Sequence, residues 1–264
     1  MSAANPFAAI KAVERQEFDR LNAYLRQLDA GGWVEQSYCS DWLVYQAVSH
    51  LASGAHIAKA RIDAWINGAK PISRDDQLAL WAKLDALAPE DMLGEYLHAV
   101  GEYIVAMRSV EDEKGAQEVE GFAGKRPLYM YQLARLWELV SHGWDVYVAR
   151  DHEARLSPEA VDVLAPLLHT LNLPIDRQRA AEFAEKTVEF RLRAPDASYQ
   201  LDLSGDRPRL KQGSNVEAAL VVDGPAEEII RFVSGRSFVP GAKPQIKASA
   251  GSKDDLAKLR RAFR

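Results

Sequence analysis

The hydrophobic residues of this chain change their spacing near residue 150, and this change limits the available folds more than any other feature. From Phe7 to about Arg150, apolar side chains recur at three- and four-residue steps, which is typical of helices that bury one face. We find no strand pattern in this part of the sequence. Successive helices with modest connections are expected to pack as an antiparallel bundle.

Five helices are predicted in the first part of the chain, and glycine or proline separates most of them. The first carries an acid, Glu14, within its apolar stripe, and Gly31 and Gly32 are interpreted as its stop signal. The polar stretch from Glu111 to Lys125 is expected to be a connection. The predicted helices cover approximately residues 7–28, 41–68, 73–87, 90–110 and 127–150.

Beyond Asp151 short strand patterns appear between helices. Alternation is clearest at Val188, Phe190 and Leu192, whose side chains are expected to share one face of a strand. We therefore predict two domains, a helical bundle over residues 1–152 and a small α+β domain over residues 153–264. The predicted strands of the second domain cover residues 187–193, 198–203, 209–212, 218–222 and 245–248, and its helices cover residues 157–171, 226–234 and 253–263.

Composition excludes several classes of protein. A length of 264 residues suits two ordinary domains, and a net charge of −5 gives no electrostatic reason to expect binding to nucleic acid or an anionic membrane. The single cysteine, Cys39, cannot form an internal disulfide and fits a reducing, cytoplasmic location. Neither a membrane span nor a secretory signal is expected, and the chain is expected to be a monomer or a homodimer.

Three residues could together hold a divalent metal ion. Glu138 and His142 are four positions apart, so on a helix their side chains share one face, and His50 lies on another predicted helix. Nitrogen and carboxylate donors favour zinc, iron, nickel or manganese over calcium. A glutamate and a histidine at this spacing also occur by chance on solvated helices, and that alternative stays open on spacing alone. The apolar residues around the pair favour a buried helix, where an acid needs a partner.

Two runs of residues around these positions resemble a known family. The chain is similar to the mycothiol-dependent maleylpyruvate isomerase family within the DinB-like metalloenzyme superfamily. The likeness extends to the second domain through residues 219–222, the turn at 223–225, Ile229, Ile230 and residues 234–236. The matching residues of the first domain are Trp33, Ser37, Cys39, Trp42, Val44, Val48, His50 and Leu51, and then Arg135, Glu138, Val140, His142, Trp144 and Asp145.

The resemblance implies a fold, a site and an activity. The expected fold is a DinB-like four-helix bundle followed by a sterol-carrier-like α+β domain. His50, Glu138 and His142 would hold a divalent metal, zinc being the expected ion, which would convert a low-molecular-weight thiol such as mycothiol into a thiolate. The thiolate would attack an electrophilic substrate, giving cis-trans isomerisation or S-transfer. The alternatives are a non-catalytic, metal-containing protein that binds small molecules and a metal-free bundle used for interaction.

Two residues on the helix of Glu138 and His142 have open roles. Asp145 could orient His142 by accepting its second ring N–H, or it could be an ordinary solvated acid. Arg135 could pair with Glu138 or with a substrate carboxylate, and we consider a structural pairing the better interpretation.

Two further residues have competing interpretations. Cys39 could be a nucleophile near a helix N-terminus, but packing as a small apolar side chain is favoured. Arg236 could bind a carboxylate of the substrate or thiol and is the candidate catalytic residue. The alternative, in which it caps the helix that precedes it, is slightly favoured.

Overall fold

A computed structural model of the chain describes residues 5–263 except residues 69, 122–123, 206, 238, 240 and 242. The chain forms two compact units, Met1–Ala154 and Arg155–Arg264. The first is mainly helical and the second contains a mixed sheet, so the predicted fold class, a helical bundle followed by a small α+β domain, is confirmed. Within the described residues, no helix has the length and apolar character needed to cross a membrane.

Four long helices form the bundle of the first unit. Helix α3 packs against α5 and α6, α1 packs against α6, and the shorter α4 lies against α3. The interior is apolar and fully buried at residues such as Phe7, Leu21 and Leu51. The helices are α1 (Phe7–Leu25), α2 (Ala30–Trp33), α3 (Val44–Asn67), α4 (Arg74–Asp85), α5 (Pro89–Arg108) and α6 (Leu128–Tyr147).

The prediction that Gly31 and Gly32 end the first helix was wrong. Helix α1 ends at Leu25, and Gly31 and Gly32 lie inside the one-turn helix α2. Asp29 caps this turn, since its Oδ1 accepts a hydrogen bond from the backbone N–H of Gly32 at 2.8 Å. A local side-chain cap therefore overrides the usual tendency of glycine to end helices.

The expectation that the first unit lacks strands was also wrong. Strands β1 (Glu118–Gly121) and β2 (Gly124–Pro127) form an antiparallel hairpin before α6. Each strand has only four residues, and most of them are charged or glycine, so no apolar alternation announces the pairing. The backbone hydrogen bonds that define the hairpin leave no trace in the hydrophobic pattern.

The second unit is built on a five-stranded sheet in the order β5-β4-β3-β6-β7. Strands β3 and β6 are parallel at the centre, and the other pairs are antiparallel. Phe190 of β3 packs edge to face against Phe232 and Phe263. The strands are β3 (Val188–Arg193), β4 (Ala197–Asp202), β5 (Arg209–Gln212), β6 (Leu220–Pro225) and β7 (Lys247–Ala250), and the helices are α7 (Pro158–Leu164), α8 (Arg177–Ala180), α9 (Ala226–Val233) and α10 (Lys253–Ala262).

Candidate metal centre

The three predicted ligands converge on one point of the bundle. His50 Nε2 lies 3.1 Å from Glu138 Oε2, and His142 Nε2 lies 3.3 Å from the same oxygen. The two imidazole rings have their centroids 4.8 Å apart. One donor atom from each of the three residues thus lies within 4.8 Å of the other two. The structure brings together two helices whose ligands are 88 residues apart in the sequence.

Helix packing explains why these side chains meet. His50 lies in the second turn of α3, and Glu138 and His142 occupy successive turns of α6. Buried neighbours such as Leu139 and Trp144 hold α6 in the bundle. The ligand face itself stays open, because the side chains of Glu138, His50 and His142 are 46%, 30% and 11% exposed. A small molecule can therefore approach from solvent.

The donor set fits a divalent metal ion. Tetrahedral coordination with bonds of about 2.1 Å places neighbouring donors about 3.4 Å apart. The distances of 3.1 and 3.3 Å from Glu138 Oε2 to the two ring nitrogens approach this spacing. Two imidazoles and one carboxylate are ligands that zinc and related ions accept, and three protein ligands leave a position open. The residues present are compatible with an open, working metal site.

His142 is oriented from behind by a buried acid. Its Nδ1 lies 2.8 Å from Asp145 Oδ2, and the Asp145 side chain is completely buried. A carboxylate that accepts the Nδ1 proton leaves the Nε2 lone pair free to bind a metal. Cys39 adds to this arrangement, since its thiol donates to Asp145 Oδ2 at 3.2 Å. Of the two roles considered for Asp145, the geometry favours orientation of His142 over that of a solvated acid.

Trp42 covers the two histidines. Its ring centroid lies 5.0 Å from that of His50 and 5.4 Å from that of His142. The loop before α3 holds this tryptophan in place, because the Ser37 hydroxyl donates to the Trp42 carbonyl at 2.7 Å. The backbone N–H of Tyr38 also donates to the Asp145 carbonyl at 3.1 Å, which ties the loop to α6. The aromatic ring shields one side of the site.

The two histidines strongly affect the ionisation of Glu138. Burial by itself raises the pKa of this carboxyl, but hydrogen bonds from His142 and His50 lower it further than burial raises it. The net pKa lies well below its usual range. Glu138 is therefore a carboxylate at neutral pH, the form in which a glutamate can bind a metal.

Arg135 does not pair with Glu138. Its Nη2 donates to the carbonyl oxygen of Leu51 at 2.8 Å, and its guanidinium carbon lies 5.5 Å from the centre of the Phe18 ring. The preferred interpretation as a structural residue is supported, but with a different partner. A helix-face rule based on spacing could not reveal a contact with the backbone of another helix.

Arg236 belongs to the second unit and follows α9. Its Nη1 donates to the Ser234 carbonyl at 2.7 Å, and its backbone N–H donates to the Arg231 carbonyl at the same distance. These contacts fit the helix-capping interpretation. A catalytic role for Arg236 stays a prediction.

His56 is separate from the three ligands, as its spacing from His50 predicts. Its Nε2 lies 2.7 Å from Glu95 Oε1 of α5. Sequence patterns do not reveal that Trp42 and Cys39 contact the site. Both residues belong to the run that carries the family resemblance, which is the signal that points to them.

Comparisons with known proteins identify the family and the fold of the chain. A family model described as the mycothiol maleylpyruvate isomerase N-terminal domain matches residues 15–147. Two similar solved structures are a mycothiol-dependent maleylpyruvate isomerase and a histidine-to-alanine mutant of such an isomerase. Each shares 18% sequence identity with this chain, covers 94% of both chains and superposes with a TM-score of 0.64. At this identity the likeness establishes the fold. No curated protein sequence matches the chain significantly.

Proposed function

The chain belongs to the mycothiol maleylpyruvate isomerase N-terminal domain family, and on this premise we propose that it is a metal-dependent, thiol-dependent isomerase. His50, Glu138 and His142 would hold the metal, for which zinc is the proposed ion. The proposed cofactor is a low-molecular-weight thiol such as mycothiol, and the proposed substrate is a small electrophile of the maleylpyruvate type. A cytoplasmic location is part of this proposal, because a free thiol cofactor requires a reducing compartment.

One observation carries the proposal, namely the approach of two imidazole nitrogens to a single Glu138 oxygen. When bound, the metal and thiol would supply a nucleophile that adds to a cis double bond and later leaves it, which permits rotation to the trans product. The protein contributes the orientation of the ligands. Asp145 fixes the tautomer of His142, and Trp42 shields the two rings from one side.

The openness of the site also supports catalysis over a structural metal. Glu138 is almost half exposed, whereas the ligands of structural zinc sites are usually four in number and enclosed. Three ligands and an accessible face leave room for a sulfur atom and a substrate.

Metal analysis of the purified protein tests the ligand set. We expect about one zinc per wild-type chain and little metal in the His50→Ala, Glu138→Ala and His142→Ala variants. His56→Ala is the matched control, because it removes another α3 histidine that contacts Glu95 outside the site. Stoichiometric metal in all three ligand variants would contradict the assignment.

Turnover tests the activity. Isomerisation of maleylpyruvate should require both the metal and added mycothiol and should be lost after metal removal. Formation of a stable thioether from an electrophile that cannot isomerise would instead indicate S-transfer. Metal binding without turnover across a panel of thiols and electrophiles would favour the alternative of a non-catalytic, metal-containing binding protein.

A further inference from the structure

Arg135 is a buried cation that connects three helices of the bundle. It lies on α6, three positions before Glu138, and is only 7% exposed. Its guanidinium carbon lies 5.5 Å from the ring centre of Phe18 on α1 and 5.9 Å from that of Tyr103 on α5. Aromatic faces at these distances attract a cation. They hold the planar group at a fixed place in the core.

The fourth helix contributes the strongest contact of Arg135. Nη2 donates a 2.8 Å hydrogen bond to the carbonyl oxygen of Leu51 on α3, and Leu51 follows the ligand His50 directly. This hydrogen bond therefore joins α3 and α6 close to the candidate ligands. Leu51 is one residue from His50, and Arg135 is about one turn from Glu138. Few positions in the bundle could affect the separation of His50 and Glu138 so directly.

Gly54 provides the space that this contact needs. A Cβ atom at Gly54 would lie 3.1 Å from Arg135 Nη1, which is closer than most such contacts, so the guanidinium would have to shift by a few tenths of an ångström. Gly54 lies within α3, where glycine is otherwise unfavourable. Gly54, the residue of α3 with the lowest helix propensity, thus lies beside the guanidinium.

We propose that Arg135 is a positioning residue, which fixes α3 against α6 so that His50 Nε2 and Glu138 Oε2 keep the spacing a shared metal needs. The inference rests on the proposed function, since it assumes that these two residues are ligands. Burying a guanidinium costs desolvation energy that an aliphatic side chain of similar size would avoid. One buried polar residue among packed helices can fix their register.

Gly54→Ala is the most informative variant, because it should separate positioning from stability. Alanine improves helix propensity, which opposes the strain of moving the guanidinium, so the metal-free variant should keep about the heat stability of the wild type. The displaced guanidinium should nevertheless weaken metal binding about tenfold, as changes behind a ligand commonly do. Gly101→Ala is the matched control on α5, where a Cβ meets no atom within 4 Å. It should raise stability and leave metal affinity unchanged.

Substitution of Arg135 itself provides the second test. Arg135→Met should lower metal affinity by about 10- to 100-fold. Arg135→Lys keeps the charge but loses the planar group, and it should restore part of that loss. Zinc affinity would be measured by competition with a chromophoric chelator. The visible spectrum of the cobalt(II)-substituted protein would report the geometry of the ligands, which a purely structural role of Arg135 would leave unchanged.

The outcomes distinguish this inference from the proposed function. Wild-type protein that takes up no metal overturns both. Wild-type protein that binds one metal, with unchanged affinity and cobalt spectrum in Gly54→Ala, overturns the positioning role alone. If Arg135→Met does not fold, Gly54→Ala still decides the question. Weaker binding in Gly54→Ala but not in Gly101→Ala, without loss of heat stability, supports the inference.

Discussion

Two glutamates of the same bundle, Glu14 on α1 and Glu138 on α6, have opposite chemical behaviour. Glu14 is buried, and the Tyr103 hydroxyl donates to both of its oxygens at 3.0 and 2.9 Å. Desolvation raises the pKa of Glu14 to about 8, although Arg135 and the hydrogen bond from Tyr103 lower it in part. The side chain of Glu138 is 46% exposed, and its two histidines bring its pKa well below the usual range.

The difference shows why Glu138, and not Glu14, is the candidate metal ligand. Both glutamates have hydrogen-bond donors, and Gln132 Nε2 also contacts Glu14 at short range. Only Glu138 faces two imidazoles at an open surface, so only Glu138 is both ionised at neutral pH and accessible to a metal. The donors around Glu14 only satisfy its hydrogen-bonding capacity. The two imidazole nitrogens near Glu138 make it a candidate metal ligand.

Removal of the Glu138 carboxylate should give the largest effect. Changes behind a metal ligand cost about 10- to 100-fold in affinity, so Glu138→Gln, which changes a ligand itself, should cost more than about 100-fold. Glu14→Gln should leave metal affinity unchanged, because Glu14 takes no part in the ligand set. Zinc titration of both variants tests the comparison, and equal losses would remove the distinction between the two acids.

The next largest effect is expected at Asp145. Asp145→Asn keeps the shape of the side chain but replaces a carboxylate acceptor with an amide, so the Nδ1 proton of His142 is held less firmly. We expect zinc affinity to fall by about 10- to 100-fold. Asp85→Asn is a suitable control, since that carboxylate accepts from Ser49 in the bundle. Zinc affinity equal to wild type in Asp145→Asn would remove the orienting role of this acid.

The pKa of Glu14 should appear as a pH dependence of stability. Because its pKa rises from 4.5 to about 8 on folding, the folded chain binds a proton between these values that the unfolded chain does not. The contribution favours folding at low pH and is lost as the pH rises towards 8. The slope should approach about 1.4 kcal/mol of unfolding free energy per pH unit.

Glu14→Gln should abolish this contribution. Denaturant unfolding of the metal-free wild type and variant at several pH values from 5 to 8 would measure it, and the difference between the chains cancels groups common to both. Parallel pH profiles would show that Glu14 titrates as an ordinary acid. Glu138 should contribute with the opposite sign, because a lowered pKa stabilises the fold above the unfolded value and not below it.

The smallest effect is expected at Cys39. Cys39→Ala removes one thiol donor from Asp145 while the bond between Asp145 and His142 remains. A thiol is a weak donor, so its hydrogen bond to the carboxylate should contribute about 1 kcal/mol, and metal affinity and turnover should fall less than about tenfold. Thiol-dependent turnover should persist. If a folded, metal-loaded Cys39→Ala protein lost all turnover, Cys39 would instead be a nucleophile, the less favoured of its two interpretations.

Much of the fold was predictable because burial leaves a periodic signal. The apolar stripe of α1, the apolar residues of α6 and the alternation of β3 are visible in the sequence, since each of these elements packs into a core. Elements held by backbone hydrogen bonds or by a single cap were missed. The hairpin of β1 and β2 and the short helix α2 belong to this second class.

The candidate site was partly predictable for a similar reason. Glu138 and His142 share one helix, where spacing of four residues places them together, and residue type made His50 the third candidate, which the family resemblance supported. The contact of Asp145 with His142 follows from their spacing of three residues on α6, whereas its contact with Cys39 depends on how the loop before α3 lies against α6. Arg135 could not be assigned from spacing, because its partner is the backbone of Leu51 on another helix.

The sequence by itself determined the two-part architecture, the main helices and strands and the identity of the candidate ligands. These properties follow from local periodicity and from residue type, both of which are written along the chain. Only the tertiary structure decided which glutamate is ionised, which acid orients His142 and where the guanidinium of Arg135 binds. Those outcomes depend on burial and on atoms brought within about 3 Å by helix packing, where solvation and hydrogen bonding are set.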